Sequence, residues 1–255
     1  SRTLTWMNEH MNGLMCRIIG MKLKSTFGGH VTFYGIGGAK LDPEVESFLL
    51  KAKFPYAIGY GLTETSPLIG YAMNGWRTVG SFGYPVYNVQ LKLHDVNPET
   101  GEGEIVAKGP NVMLGYYKDP KRTKSVFTED GWFRTGDMGI LDAEGSLFIK
   151  GRNKCMILGP SGQNIYPEEV EAVLNTLPHV AESLIVDRDK RLVALVALPA
   201  DDLALDEATI KAELEQTRQM ANELLPNYSQ ITKIEIIREG FAHTPKQSIK
   251  RFLYK

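Results

Sequence analysis

The sequence has few cysteines, no excess charge of either sign and no long apolar run, and each absence excludes a class of protein. Two cysteines, Cys16 and Cys155, cannot build a disulfide framework, which fits a reducing compartment and predicts a cytoplasmic protein. The 29 basic and 30 acidic side chains give a net charge of −1, which argues against nucleic-acid binding through bulk charge. The longest apolar stretch, LVALVALPA from Leu192, is too short to span a bilayer.

The beginning of the chain, SRTLTWMNEHMNG, has neither an initiator methionine nor the regions of a signal peptide. It opens directly into a helical pattern that places Leu4, Met7, Met11, Leu14 and Ile18 on one face. A chain that begins within such a pattern is expected to be a fragment of a longer protein.

The first 79 residues predict an α/β unit. The apolar run Val31–Tyr34 predicts a strand that ends in a glycine-rich turn. Asp42 followed by Pro43 is typical of a helix start, and FPYAIGYG predicts a second strand. Strand, helix and strand in this order indicate parallel pairing.

The remainder of the chain has two further patterns. Residues 80–151 predict short strands between glycine turns, as in a small β-barrel or a curled sheet, with Val89, Leu91 and Leu93 on one face and a short helix after Asp119. Residues 152–255 predict two helices, YPEEVEAVLNTL and DEATIKAELEQTRQMANELL, a hairpin around RDKR and a last strand, ITKIEIIR. The predicted fold class is therefore α/β plus α+β, with a large domain over residues 1–151 and a small domain after it.

The glycine-rich segment GIGGAK follows a strand and precedes a helix, but it lacks the third glycine of a dinucleotide-binding turn and the Ser/Thr of a P-loop. An ordinary turn is favoured over phosphate binding. Gly37 and Gly38 nevertheless offer bare backbone against which a flat ligand ring can lie.

Three other segments have polar side chains beside glycine turns. In YGLTETSP, Glu64 between two threonines suits Mg²⁺ and phosphate oxygens, and a solvated turn is the alternative. In GWFRTGDMG, Asp137 is predicted in a glycine-bounded turn, where it either binds ribose hydroxyls or merely caps a hairpin. Arg152 and Lys154 lie at the predicted domain junction and are either ligand-binding or solvated charges.

Five segments in order, YGLTETSP, GEIVAKGPNVMLGYYKDPKRT, DGWFRTGDMG, IKGRNK and GQNIYPEEVEAVL, resemble the adenylate-forming acyl-CoA synthetase superfamily. The closest resemblance is to bacterial long-chain fatty acid–CoA ligases, and it runs from Val31 to the C-terminus. It implies the C-terminal part of a large adenylation domain followed by a small α+β lid domain. Members use ATP and Mg²⁺ to convert an acid to acyl-AMP and then transfer the acyl group to coenzyme A, in fatty acid metabolism.

The resemblance implies roles for individual residues. Glu64 corresponds to the Mg²⁺ ligand, Thr63 to a contact with the α-phosphate, and Lys154 to the hinge of the lid. The coenzyme A channel is implied at Gly162 and Asn164. The nucleotide-binding residues that it implies are Gly38, Ala39, Lys40, Tyr60 on the purine, Gly61, Thr63, Asp137 on the ribose, and Arg152.

Two departures from the family pattern stand out. The phosphate-binding loop of the family is absent. We therefore expect that the N-terminal half of the same protein is missing, that this half is a partner of the chain, and that the chain alone activates no acid. The catalytic lysine of the last family motif falls on Ser248, between Lys246 and Lys250. A neighbouring lysine replaces it, adenylation is weak, or the residue was altered; substitution by Lys246 is favoured, since position defines a catalytic role.

The predicted function is a long-chain fatty acid–CoA ligase that forms AMP and contacts the membrane peripherally, if at all. The alternatives are another adenylating ligase, for aryl or medium-chain acids or acyl carrier protein, and a non-catalytic homologue that binds nucleotide or coenzyme A.

Overall fold

The computed structural model describes residues 2–38, 41–73, 79–159, 162–245 and 248–254, with side chains from residue 13 onward. These residues form two compact units, Ser1–Ile149 and Lys150–Lys255. The domain boundary placed after residue 151 of the sequence stays a prediction.

The helices of the first unit are α1 (Arg2–Thr26), α2 (Pro43–Lys51) and α3 (Pro120–Ser125). Its strands are β1 (Tyr34–Gly37), β2 (Tyr56–Gly61), β3 (Leu68–Met73), β4 (Tyr84–Pro85), β5 (Gln90–His94), β6 (Gly103–Lys108), β7 (Phe133–Leu141) and β8 (Leu147–Arg152), the last of which continues into the second unit.

The first sheet has the order β1-β2-β3-β4, and β1 pairs with β2 in parallel, as predicted. The helix between them begins where the sequence indicates, because Asp42 Oδ1 accepts hydrogen bonds from Glu44 N–H at 2.7 Å and Val45 N–H at 3.1 Å. The strand predicted at Val31–Tyr34 is wrong: pairing starts only at Tyr34, opposite Tyr56. The β4 strand pairs with β3, so this sheet continues beyond residue 79.

The second sheet has the order β5-β6-β7-β8. The predicted alternation is confirmed, because Val89, Leu91 and Leu93 all pack against one cluster that includes the fully buried Ile105 and Ala107. The short helix α3 is capped as expected by Asp119.

The helices of the second unit are α4 (Pro167–Leu174) and α5 (Glu207–Leu224). Its strands are β9 (Ile157–Leu158), β10 (Asn164–Ile165), β11 (Glu182–Arg188), β12 (Arg191–Ala197) and β13 (Ile231–Ile236). The main sheet has the order β11-β12-β13, antiparallel and then parallel. The predicted hairpin is present, with Asp189 and Lys190 both at positive φ (54° and 60°), as a tight hairpin turn requires.

Alternate residues of β12 face two different hydrophobic clusters. Ala194 and Val196 pack with the buried residues Leu174 and Ile210 of the two helices. Val193 and Leu195 face the other way and pack with Phe241, Ile249 and Tyr254 near the C-terminus. The C-terminal segment is thus fixed to the face of the sheet opposite the helices.

Candidate functional site

The turn after β2 is closed by its own backbone and by one buried hydroxyl. Leu62 N–H donates to Pro67 O at 2.9 Å. A Cβ on Gly61 would lie 1.7 Å from Pro67 O, so only glycine fits there. Thr65 is fully buried, and its Oγ1 donates to Pro67 O at 2.6 Å and accepts from Leu62 N–H at 3.0 Å.

This turn presents Thr63 to solvent and Glu64 half-buried. The hydroxyl of Tyr116 donates to Glu64 Oε1 at 2.9 Å, whereas Oε2 accepts no hydrogen bond from any described residue. Burial and the neighbouring carboxylate raise the pKa of Tyr116, so its hydroxyl remains a donor at neutral pH. Glu64 is therefore held by a neighbour rather than merely solvated.

Tyr60 and Asp137, which the family resemblance assigns to one nucleotide site, are in direct contact. Tyr60 OH donates to Asp137 Oδ2 at 2.6 Å, and both side chains are buried. The ring of Tyr60 packs on Phe82, with 4.5 Å between the ring centroids. The predicted turn position of Asp137 is wrong, because the residue lies within β7, where the hydroxyl of Thr135 accepts its backbone N–H at 3.1 Å.

Gly38 follows β1 at the same sheet edge at which β2 ends, since Gly37 pairs with Gly59 in parallel register. It has a φ of 87°, and a Cβ there would meet nothing within 4 Å among the described residues. Its backbone is exposed. The predicted neighbours Ala39 and Lys40 lie outside the described residues.

In the second unit, Arg152 ends β8 and is followed by a short 3₁₀ turn, Asn153–Cys155, with both Arg152 and Lys154 exposed. Burial raises the pKa of the Cys155 thiol, which keeps it protonated at neutral pH. Gly162 has a φ of 85°, and a Cβ there would meet no described residue within 4 Å, whereas Asn164 is half-buried in β10.

Ser248 lies in a small antiparallel hairpin, in which residues 242–244 pair with residues 248–250. Thr244 N–H donates to Ser248 O, and Lys250 N–H donates to Ala242 O, both at 2.8 Å. Ser248 is exposed and Lys250 is half-buried. Lys246 lies outside the described residues.

The sequence reasoning missed the residues that anchor this hairpin. Arg251 forms a bidentate pair with the buried Glu171 of α4, with 2.8 Å between Nη1 and Oε1, and Ile185 N–H donates to the same oxygen at 2.7 Å. Burial raises the pKa of Glu171, while Arg251 and the Ile185 N–H oppose that shift. A signal was present: Glu171 is adjacent to Val170 and three residues before Leu174, on the inward face of α4.

The part of the chain that the structure describes contains no group of three or more His, Cys, Asp or Glu side chains that could hold a metal ion. Within residues 62–67, which form the turn after β2, the one carboxylate is that of Glu64. Tyr116 was also missed as a candidate, and its position beside Glu64 is visible only in the folded chain.

Comparisons with known proteins agree over most of the chain. Residues 5–117 match the family described as AMP-binding enzyme, and residues 156–254 match the AMP-binding enzyme C-terminal domain. The long-chain-fatty-acid–CoA ligase FadD15 of Mycobacterium bovis is 29% identical over 92% of this chain and 42% of its own length. The indoleacetate–CoA ligase of Aromatoleum aromaticum is 41% identical over 61% of this chain and 32% of its own.

Comparison with solved structures indicates the same family. The o-succinylbenzoate CoA synthetase MenE of Bacillus subtilis, in complex with an acyl-adenylate, superposes with a TM-score of 0.74 and 25% identity, over 92% of this chain and 50% of MenE. This chain spans 28% to 42% of the length of the curated relatives that it matches. The chain belongs to the AMP-binding, adenylate-forming enzyme family, and its mixed α/β fold matches the C-terminal part of those enzymes.

Proposed function

We propose that this chain is the C-terminal half of an acid–thiol ligase that uses ATP and Mg²⁺ to convert a long-chain fatty acid to acyl-AMP and then transfers the acyl group to coenzyme A. The observation that supports this most is the arrangement at the end of β2. The Tyr60–Asp137 contact and the oriented Glu64 stand at one sheet edge, where open α/β sheets bind ligands.

In the first half-reaction, a carboxylate oxygen of the acid attacks the α-phosphorus of ATP, and the bond to pyrophosphate breaks. The protein contributes positioning and neutralisation of charge. We assign Asp137 to the ribose hydroxyls, because its carboxylate is an acceptor of the kind that two hydroxyl donors need, and Tyr60, which is assigned to the purine, is in contact with it. Thr63, exposed in the same turn, donates to an α-phosphate oxygen, and Arg152 joins the nucleotide contact.

The residues at the β2 turn fit Mg²⁺. This ion is commonly bound by one or two carboxylates together with substrate phosphates and water, so a single half-buried Glu64 with one oxygen still available is a suitable ligand. When bound, the ion supplies positive charge beside the phosphates.

The second unit is proposed to act as a lid that turns about Lys154 between the half-reactions. Gly162 and Asn164 then border the channel for the pantetheine arm. No described residue lies within 4 Å of the Cβ position of Gly162, which supports this assignment, since a thin chain needs room there. A Gly162→Leu variant of the full-length protein should form acyl-AMP normally and transfer it slowly; equal loss of both steps would contradict the assignment.

The exposed Ser248 can donate a hydrogen bond but cannot neutralise developing negative charge. We propose that Lys246 replaces the usual lysine. In the full-length protein, Lys246→Ala should reduce pyrophosphate release and Ser248→Lys should increase it, with Lys250→Ala as the matched control. Unchanged release in Lys246→Ala would exclude this substitution.

Long-chain acids are favoured because the similarity to the fatty acid ligase covers more of this chain than the similarity to the indoleacetate ligase. The full-length protein should have its highest kcat/KM with a saturated long-chain acid, compared with a medium-chain acid and an aryl acetic acid. A preference for the aryl acid would identify another adenylating ligase. Transfer to acyl carrier protein instead of coenzyme A would also change the assignment.

A non-catalytic homologue that binds nucleotide or coenzyme A is the second candidate, and Ser248 favours it. Calorimetry on the full-length protein separates the two functions: binding of ATP without pyrophosphate release from any acid would support the non-catalytic one.

We propose a cytoplasmic location with at most peripheral membrane contact. Among the helices that the structure describes, none combines the length and apolar character needed to cross a bilayer.

A further inference from the structure

The carboxylate of Glu64 is held from a distant part of the chain. Tyr116 OH donates to Glu64 Oε1 at 2.9 Å, across 52 positions of sequence. A hydrogen bond to one carboxylate oxygen restricts rotation of the side chain and leaves the other oxygen for a cation. We propose that Tyr116 is a positioning residue that orients Glu64 toward the metal ion of the adenylation reaction, an inference that rests on the function proposed above.

Tyr116 is itself fixed by α3. Its N–H donates to Thr123 Oγ1 at 2.8 Å, and the guanidinium of Arg122 lies 4.2 Å from the centroid of its ring. The helix that contains both residues is capped by Asp119, whose Oδ1 accepts from Arg122 N–H at 2.9 Å. Backbone and ring are both held, so the hydroxyl has a defined position.

The segment of residues 109–116 also holds the backbone around Glu64. Met113 N–H donates to Glu64 O at 2.8 Å. Asn111 Nδ2 donates to Thr65 O and Leu68 O, each at 2.8 Å. One short segment therefore binds both the main chain and the carboxylate of the candidate metal ligand, which is what a site that must present a fixed oxygen requires.

The chain provides a matched control beside Tyr116. Tyr117 is 88% exposed. The described contact of its side chain is with Lys118 and not with Glu64. Tyr116→Phe and Tyr117→Phe each remove one tyrosine hydroxyl, at adjacent positions. Only the first removes the hydrogen bond to Glu64.

The test measures Mn²⁺ binding by the full-length protein in the presence of ATP and absence of acid, as the loss of the paramagnetic resonance signal of free Mn²⁺ beyond the loss that the same ATP concentration causes without protein. We expect Tyr116→Phe to weaken Mn²⁺ binding about 10-fold, as is usual for partners of metal ligands, and Tyr117→Phe to leave it unchanged. Binding of ATP in the presence of EDTA should be the same in both variants, because it does not use Glu64.

Glu64→Gln distinguishes failure of the inference from failure of the proposed function. Unchanged Mn²⁺ binding in Glu64→Gln would show that Glu64 is not the ligand and would overturn both. Loss of binding in Glu64→Gln with equal affinities in the two tyrosine variants would overturn the role of Tyr116 alone. If Tyr116→Phe weakened ATP binding equally with and without metal, Tyr116 would be shown to maintain the turn. That result would also overturn its role in orienting Glu64.

Discussion

The turn after β2 and the hairpin that contains Ser248 both present side chains to which we assign roles in the reaction. The two regions are stabilised by different interactions. In the turn, the hydroxyl of the fully buried Thr65 and the amide of Asn111 bind backbone groups of the turn itself. In the hairpin, the strongest interaction lies at the base, where Arg251 pairs with Glu171, and Ser248 is exposed.

This difference suits two tasks. A side chain that binds a nucleotide benefits from a fixed position within its own unit. A side chain that must reach a substrate from an exposed position needs a firm base and an accessible end. The two regions should therefore depend on different interactions, side-chain hydrogen bonds to backbone in the turn and a buried ion pair in the hairpin.

The largest expected effect is loss of the ion pair in Arg251→Met. Glu171 would remain buried without its cation, and breaking such a pair typically costs about 3–5 kcal/mol of unfolding free energy. Urea unfolding of the chain measures this loss. The double variant Glu171→Gln/Arg251→Met should recover much of it, because the amide oxygen still accepts from Ile185 N–H and no charge is buried.

The same variant has a defined pH dependence. Burial raises the pKa of Glu171 above its unfolded value, and removal of Arg251 removes the main opposing influence. A carboxyl group whose pKa is raised in the folded state makes its full contribution to the free energy of unfolding below its unfolded pKa. That contribution is lost as the pH rises through the folded pKa. The loss in Arg251→Met should thus be smaller at about pH 5 than at about pH 8; a pH-independent loss would contradict a charged Glu171.

The turn should be disrupted most by Gly61→Ala. The added Cβ would overlap Pro67 O, so we expect a loss of about 3 kcal/mol, at the upper end of overpacking effects. Gly38→Ala is the control: its Cβ meets no described residue within 4 Å, and the positive φ is strained, which costs about 1–2 kcal/mol. Equal losses in thermal or urea unfolding would show that the turn rearranges easily.

A matched pair of threonines compares the two regions directly. Thr65→Val removes a buried hydroxyl that binds Leu62 and Pro67, and should cost about 1–3 kcal/mol. Among the described interactions, Thr244→Val removes a 3.3 Å contact from Ser248 N–H, and it should cost about 0.5 kcal/mol or less. A larger loss in Thr244→Val than in Thr65→Val would reverse the comparison.

Sequence predicts the elements whose signals are local. Asp42 with Pro43 and Asp119 with Pro120 give helix starts because the capping contacts are within three residues. The hairpin at Asp189 follows from turn geometry alone. The start of β1 was misplaced because pairing with β2, rather than the apolar residues before it, decides where the strand begins; Phe33 is 64% exposed.

The site was predictable only in part, for the same reason. Glu64 and Asp137 could be singled out because each stands beside glycine turns in a recognisable segment. The partner of Glu64 could not be predicted, because Tyr116 is 52 positions away, and neither could the pair of Arg251 and Glu171, which are 80 positions apart. Tertiary packing brings such pairs together, and no local periodicity records it.

The smallest effect is expected for Ser248→Ala. The described hydrogen bonds of Ser248 come from its backbone, which donates to Thr244 Oγ1 and accepts from Thr244 N–H, so alanine retains them. An exposed change of this kind should alter the unfolding free energy by no more than about 0.5 kcal/mol. Any change in adenylation by the full-length variant would then be chemical rather than structural. A loss of stability comparable with that of Thr65→Val would instead show that the hydroxyl helps to hold the hairpin. Ser248, at the position of the family lysine, would then have a structural role.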